Sequence, residues 1–79
     1  MKVLFFAALR EQLGYQQLNL QADNVAELRQ QLQQRWPQYA AELSSEQALV
    51  AVNQALCNDE ELTLQDNDEV AFFPPMTGG

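Results

Sequence analysis

Residues 69–79 read EVAFFPPMTGG, and no other stretch of the sequence carries as much information about the fold. The run Glu69–Phe73 is rich in β-forming residues and predicts a strand in which Phe72 points into the protein and Phe73 points outward. The two prolines that follow cannot continue a sheet, because proline has no amide hydrogen and favours an extended polyproline conformation. We therefore predict that the last strand passes into a projecting C-terminal arm, residues 74–79.

The arm ends in Gly78 and Gly79. Because glycine has no side chain, two of them let an extended backbone enter a channel too narrow for any Cβ, and they leave the terminal carboxylate sterically open. That carboxylate is ionised at neutral pH and is therefore a poor electrophile. Adenylation with ATP would supply a leaving group, and attack by a sulfur nucleophile would then give a thiocarboxylate. The alternative is that the two glycines are a frayed terminus or a cloning remnant.

The composition restricts the chemistry that the chain can perform alone. Its 79 residues are enough for one domain, and they include no histidine and a single cysteine, Cys57. An internal disulfide, a four-thiolate metal site and Ser-His or Cys-His catalysis are thereby excluded. We expect the chain to bind no metal and no cofactor, and we interpret Cys57 as a small buried hydrophobe rather than a sulfur relay.

The charge balance excludes two classes of partner. Four Lys and Arg against eleven Asp and Glu give a net charge of -7, which repels nucleic-acid phosphates and anionic lipid and favours a basic protein partner. No apolar run approaches the roughly 18 residues of a membrane span. The start MKVLFFAAL mimics a short signal peptide, but Arg10 and Glu11 close it without a small-residue cleavage site. The cytoplasm is the expected compartment.

The first half of the chain predicts two strands and one main helix. Residues 3–9 and 15–21 are predicted as strands of a hairpin, with Lys2 and Phe6 on the outer side of the first strand. Asn24 begins a capping pattern, and apolar residues at helical spacing predict a helix from Val25 to about Arg35. A short second helix is predicted over residues 37–43.

The second half predicts three strands separated by turns. Residues 48–52 are apolar throughout, which favours a strand buried on both faces. A tight turn at residues 53–54 leads into a short strand at Ala55–Cys57, and a turn at residues 66–68, in which Asn67 tolerates a left-handed backbone, precedes the final strand. The resulting order predicts an α+β protein in which a sheet packs against one helix, with residues 1–73 as the domain.

An apolar surface is expected where the arm begins. Strand alternation places Phe6 and Phe73 outward, and exposed apolar patches usually mark an interface. The alternative is that the second helix or loops cover both rings. The expected partner interface consists of Phe6, Phe73, Pro74, Pro75 and Met76.

Four stretches together resemble the small subunit of molybdopterin synthase. They are residues 2–7 (KVLFFA), 49–54 (LVAVNQ), 68–75 (DEVAFFPP) and 77–79 (TGG). The resemblance spans essentially the whole chain, and the combination of the final strand, Phe-Phe-Pro-Pro and a terminal Gly-Gly is specific. One departure is Asn67, where the family leads us to expect glycine, but asparagine can adopt the same backbone.

The resemblance implies a ubiquitin-like β-grasp fold with a mixed sheet, one main helix and a flexible arm, and a sulfur-carrier role in molybdenum cofactor biosynthesis. In that family the terminal glycine, here Gly79, is adenylated with ATP by an adenylyltransferase similar to ubiquitin-activating enzymes, and a sulfur donor protein supplies the thiocarboxylate sulfur. Thr77 and Gly78 would thread the arm into the large subunit, where the sulfur passes to cyclic pyranopterin monophosphate to build the molybdopterin dithiolene. The implied assembly is a heterotetramer of two large and two small subunits, with the reaction pocket mainly on the large subunit.

Three other functions are consistent with the sequence. A sulfur carrier for thiamine or another cofactor shares the Gly-Gly chemistry and differs in the partner that binds. A ubiquitin-like protein modifier would be joined through Gly79 to lysines and would give isopeptide conjugates. A binding module with an incidental arm would keep its function without Gly78 and Gly79.

Overall fold

The computed structural model describes residues 1–75 as five strands, two α-helices and one 3₁₀ helix. In chain order these are β1 (Lys2–Phe5), α1 (Ala7–Leu13), β2 (Gln17–Asn19), α2 (Val25–Arg35), the 3₁₀ helix (Pro37–Tyr39), β3 (Leu49–Val52), β4 (Ala55–Cys57) and β5 (Glu69–Phe73). The last four residues, 76–79, lie outside the described range.

The strands form one mixed sheet in the order β2-β1-β5-β3-β4. β1 and β5 run parallel, and the other neighbouring pairs run antiparallel. β5 is therefore the central strand, and Phe72 lies opposite Phe5 on one side and Val50 on the other. This arrangement confirms the α+β prediction and places the base of the arm in the middle of the sheet.

One face of the sheet, the inner face, packs against α2. Each fully buried apolar side chain contributes about 1.5–3 kcal/mol to folding. This layer therefore supplies most of the stability that a small domain can obtain from its core. The side chains with no exposed surface include Val3, Phe5, Val70 and Phe72 from the strands and Val25, Leu28 and Leu32 from the helix.

The helix α2 has the predicted bounds. Its first turn is capped because Asn24 Oδ1 accepts a hydrogen bond of 2.8 Å from the backbone amide of Glu27. Pro37 begins the 3₁₀ helix directly after α2. The helix predicted over residues 37–43 is thus reduced to one 3₁₀ turn, although Leu43 is fully buried in the core.

The first predicted strand is wrong at its end, since β1 stops at Phe5. Residues Ala7–Leu13 form α1 instead, and Leu9 and Leu13 are both buried on one side of this helix. The continuous run of leucine, phenylalanine and alanine conceals the change from a period of two to helical spacing. Gly14 ends α1 with a left-handed φ of 77°. β2 still pairs antiparallel with β1, through a helix rather than a tight hairpin.

The prediction that the third strand is buried on both faces is also wrong. Val50 of β3 is buried, but Leu49 and Ala51 on the opposite side are only half-buried. The cause is the layer architecture, because α2 covers the inner face and leaves the other face open. An apolar side of β3 therefore faces away from the core.

Both predicted turns are present, and they differ in backbone conformation. The tight turn before β4 is confirmed, with left-handed φ values of 51° at Asn53 and 71° at Gln54. Asn67, in contrast, is not among the described non-glycine residues with a positive φ. The turn before β5 is closed instead by Asp68, whose carboxylate accepts a hydrogen bond of 2.7 Å from the amide of Gln65.

Arg29 of α2 is the buried charged residue of the core, with 6% of its surface exposed. Its Nη1 donates to the carbonyl oxygens of Leu43 at 2.8 Å and Ala48 at 3.0 Å. Nε and Nη2 donate to the Glu60 carboxylate at 2.8 and 2.9 Å, and the guanidinium lies 5.5 Å from the centre of the Phe72 ring. One side chain therefore connects α2, two loops and the central strand.

Candidate functional site

The base of the arm is held from both sides. The amide of Phe6 donates to the carbonyl of Phe72 at 3.1 Å, which continues the ladder between β1 and β5. On the other side, Leu49 of β3 lies opposite Phe73, the last residue of β5. The two prolines of the arm follow directly. The arm thus leaves a central strand whose backbone is paired on both edges.

Much of the expected interface is accessible. Phe6 is 45% exposed, Phe73 and Pro74 are half-buried, and Pro75 is exposed. Neither phenylalanine ring is buried, so the alternative in which a helix or loops cover both rings is wrong. The other predicted site residues lie outside the described range, and their roles stay predictions: Met76, Thr77, Gly78 and Gly79.

The two rings belong to a larger apolar surface on the side of the sheet away from α2. An apolar row crosses four strands there, because Leu4 lies opposite Ala71, Ala71 opposite Ala51, and Ala51 opposite Leu56. Leu56 is 62% exposed. We call this surface the outer apolar face, and it consists of Leu4, Phe6, Leu49, Ala51, Leu56, Ala71 and Phe73.

Leu56 was not among the residues predicted for the interface. Its place depends on the two-residue turn at Asn53 and Gln54, which pairs Val52 with Ala55 and therefore Ala51 with Leu56. Residues directly opposite each other share a face of the sheet. The turn was predicted correctly, and counting pairs back from it is the signal that could have placed Leu56 on the outer face.

Charged and polar groups bound the outer apolar face at the end away from the arm. Lys2 lies opposite Glu69 there, and Asn53 Nδ2 donates to the Asp68 carboxylate at 2.9 Å. Hydrogen bonds from the Gln65 backbone and the Asn53 side chain lower the pKa of Asp68 below its ordinary value of 3.8. The outer apolar face therefore has a polar border at one end and reaches the base of the arm at the other.

The described residues hold few groups with reactive chemistry. Cys57 is half-buried, and its Sγ donates to the carbonyl of Asp59 at 3.3 Å. Within residues 1–75, no group of three or more His, Cys, Asp or Glu side chains could hold a metal ion. In the same range, no helix is both long enough and apolar enough to cross a membrane. The reactive group predicted from the sequence, the terminal carboxylate, belongs to the residues outside this range.

The sheet and its arm define a class of protein. One main helix crosses the inner face of a mixed five-stranded sheet, and the arm continues the central strand, which is the ubiquitin-like β-grasp arrangement. Residues 3–79 match the ThiS family, and the chain belongs to this family.

Relatives of known name match over nearly their whole length. The molybdopterin synthase sulfur carrier subunit of Escherichia coli K12 is 47% identical over 81 residues, which cover 99% of this chain and 98% of the relative. The subunit of the same name from Haemophilus influenzae is 40% identical, with 100% and 99% covered. The solution structure of small archaeal modifier protein 1 from Methanosarcina acetivorans is 27% identical, with a TM-score of 0.80 over 99% of this chain and 94% of that one. The resemblance and the β-grasp fold are confirmed.

Proposed function

We propose that this chain is the sulfur carrier subunit of a molybdopterin synthase and that Gly79 carries the sulfur. The observation that carries the proposal is the outer apolar face, which reaches the base of an arm whose sequence ends in Gly78 and Gly79. Relatives of the same length bear this name at 47% and 40% identity. In this function the face binds the large subunit, and the arm extends from it into the reaction pocket.

The proposed reaction begins with activation of an unreactive carboxylate. An adenylyltransferase joins the Gly79 carboxylate to the AMP part of ATP and releases pyrophosphate. Hydrosulfide supplied by a donor protein then attacks the acyl carbon, the bond from that carbon to the AMP oxygen breaks, and the products are the thiocarboxylate, AMP and a proton. The absence of a Cβ at Gly78 and Gly79 leaves the carbonyl carbon open to both enzymes.

Docking on the large subunit then holds the sulfur nucleophile close to its target. The thiocarboxylate sulfur bonds to cyclic pyranopterin monophosphate on the large subunit, and water then cleaves the bond between the Gly79 carbonyl carbon and the sulfur, which regenerates the carboxylate. Two loaded chains supply the two sulfur atoms of the molybdopterin dithiolene. Binding through the outer apolar face removes translational freedom before this step. For well-oriented groups this lowers the activation free energy by about 7–11 kcal/mol. The chain contributes position and sulfur in a heterotetramer of two large and two small subunits in the cytoplasm, while ATP is used by the activating enzyme and the reaction pocket lies mainly on the large subunit.

The test is the intact mass of the chain after incubation with ATP, an activating enzyme of the family and a sulfide source. We expect a gain equal to the replacement of one oxygen by sulfur. A chain that lacks Gly79 should show no gain, because its terminal carboxylate falls short by about 3.3–3.6 Å in an extended arm. The control is a second sulfur carrier treated with the same enzyme. No gain in this chain, with the control loaded, would refute the proposal.

A protein modifier is the second candidate, because the chain is similar to a protein named as a small archaeal modifier. In that function the activated Gly79 ends in an isopeptide bond with a target lysine. Incubation with ATP, the activating enzyme, a sulfide source and total cell protein distinguishes the two. Conjugates of this chain on many proteins support the modifier, and a thiocarboxylate without conjugates supports the carrier.

A carrier for thiamine or another cofactor differs from the first proposal in its recipient only. The loaded chain is therefore mixed separately with the molybdopterin synthase large subunit and with a thiazole-forming enzyme. If sulfur is transferred in the presence of the large subunit but not with the thiazole-forming enzyme, the molybdopterin assignment is supported. The outer apolar face then binds the large subunit specifically. Transfer with the thiazole-forming enzyme alone assigns the chain to thiamine synthesis.

A further inference from the structure

A small cleft lies beside the base of the arm, where α1 meets the loop that precedes β3. Its volume is about 130 Å³. Three segments that are distant in sequence form its walls, namely α1, the loop and the start of the arm. We call it the basal cleft, and its lining residues are Ala8, Leu9, Gln12, Glu42, Gln47, Pro74 and Pro75.

The volume of the basal cleft limits what can enter it. It is several times the space that one buried water molecule requires, which is roughly 10–15 Å³. Sites for small molecules usually occupy roughly 300–1,000 Å³, so a nucleotide or a pterin does not fit. A single side chain from another protein is of the right size.

The lining of the cleft selects the chemistry of that side chain. Leu9 is buried, Ala8 and the two prolines add further apolar lining, and Glu42 is half-buried at the cleft. Gln12 and Gln47 are exposed and can add amide oxygens as acceptors. A lining that combines apolar groups with one carboxylate and two amides complements a cationic head on an aliphatic stem, which is the shape of lysine and arginine.

The four Lys and Arg residues of this chain lie away from the basal cleft. Lys2 lies opposite Glu69, at the end of the sheet away from the arm. Arg29 pairs with Glu60, and the Arg35 guanidinium lies 5.6 and 5.2 Å from two aromatic ring centres. Arg10 follows Ala8 by two positions on α1, so it points to the other side of that helix. In the part of the chain that the structure describes, Glu42 forms no salt bridge. A cation for the basal cleft must therefore come from another molecule.

We propose that the basal cleft receives an arginine or lysine side chain of the protein that takes up the arm. The inference rests on the proposed function and adds a charged contact to the outer apolar face. The net charge of -7 favours such a basic partner over long range. Because Pro74 and Pro75 form one wall of the cleft, the inserted side chain contacts the first residues of the arm and fixes the direction in which the arm leaves. The apolar face then supplies binding energy, and the ion pair supplies orientation.

The test compares the affinities of three variants for the molybdopterin synthase large subunit, measured by titration calorimetry at low and high salt. Glu42→Gln removes the carboxylate charge and keeps the shape. Glu46→Gln is the matched control, because Glu46 is an exposed glutamate of the same loop that does not line the cleft. Ala8→Leu fills the cleft, keeps the charge and preserves helix propensity. Circular dichroism checks that each variant is folded.

We expect Glu42→Gln and Ala8→Leu to weaken binding about tenfold at low salt and Glu46→Gln to stay within about twofold. The difference between the unaltered chain and Glu42→Gln should shrink at high salt, because salt screens an ion pair at the surface. Equal affinity of Glu42→Gln and the unaltered chain, in a chain that binds, would overturn this inference and leave the proposed function intact. Failure of the unaltered chain to bind the large subunit would overturn both.

Discussion

The inner and outer faces of the sheet are built from alternating residues of the same strands, yet each face is apolar for a different physical reason. Phe72 is fully buried, whereas Phe73, the next residue, is accessible on the other face. The inner face is apolar because folding requires it. The outer face carries Phe6 and Leu56 at 45% and 62% exposure, and folding does not require apolar side chains there.

This difference separates residues that hold the fold from residues that are free to serve a partner. A solvated face of an antiparallel or mixed sheet is usually polar, so a continuous apolar row across four strands indicates a surface that is covered in the working protein. Substitutions on the inner face should therefore change stability, and substitutions on the outer face should change binding.

The largest effect on stability is expected for Phe72→Ala on the inner face. Removal of a fully buried ring leaves a cavity and should cost about 3–5 kcal/mol. For a domain of this size that is a large part of the total stability. Urea denaturation followed by circular dichroism measures the loss. A loss below about 1 kcal/mol would mean that the inner face does not govern stability.

Arg29→Met tests the role of the buried arginine in the core. The substitution leaves the carbonyls of Leu43 and Ala48 without their donor and should cost about 2–3 kcal/mol. Glu60→Gln is the comparison variant, and its cost should be smaller. The guanidinium keeps both carbonyl acceptors, and the Glu60 side chain is 34% exposed to solvent. Equal costs in denaturation experiments would contradict the role assigned to the two carbonyls.

Phe73→Asp on the outer face should separate binding from stability. We expect the free energy of unfolding to change by less than about 1 kcal/mol, because the ring is not part of the core. Affinity for the large subunit should fall at least tenfold, about 1.4 kcal/mol or more, since a charge enters an apolar contact. Gln30→Asp places the same charge on an exposed position of α2, away from the outer apolar face, and is the control. Unchanged affinity of Phe73→Asp would remove the outer apolar face from the interface.

The smallest effect is expected at Asp68, which lies at the polar end of the sheet. The hydrogen bonds from Gln65 and Asn53 favour the ionised carboxylate and lower its pKa below 3.8. The contribution of Asp68 to stability is therefore fully present above the ordinary pKa of 3.8, which applies to the unfolded chain. It is lost as the pH falls through the lower pKa of the folded state. Between about pH 5 and about pH 2, Asp68→Asn should lose less stability than the unaltered chain. Parallel urea titrations at the two pH values measure the difference, and identical losses would contradict the assignment.

The sequence predicted best the elements that begin at a capping residue or end at a proline. α2 has the predicted bounds because Asn24 caps it and Pro37 follows it. β5 has the predicted bounds because two prolines end it. α1 was missed because its buried pair, Leu9 and Leu13, is a single helical repeat attached to a run that also suits a strand.

The candidate site was predictable where it depends on alternation along one strand. Phe6 and Phe73 could be placed on the outer face in this way, whereas Leu56 needed the register between β3 and β4. The basal cleft could not be predicted, because it forms where three distant segments meet, and one of them is the helix α1 that the pattern concealed. Tertiary packing of this kind leaves little signal in a local pattern.

The most direct test of the carrier role follows the sulfur atom itself. The chain is loaded as a thiocarboxylate and mixed with the large subunit and cyclic pyranopterin monophosphate, and the intact mass of the chain is recorded with the pterin product. The mass should return to that of the carboxylate as the dithiolene forms, and Phe73→Asp should slow both changes together. A chain that retains its sulfur, while the same large subunit accepts sulfur from another carrier, is not the sulfur carrier of this reaction.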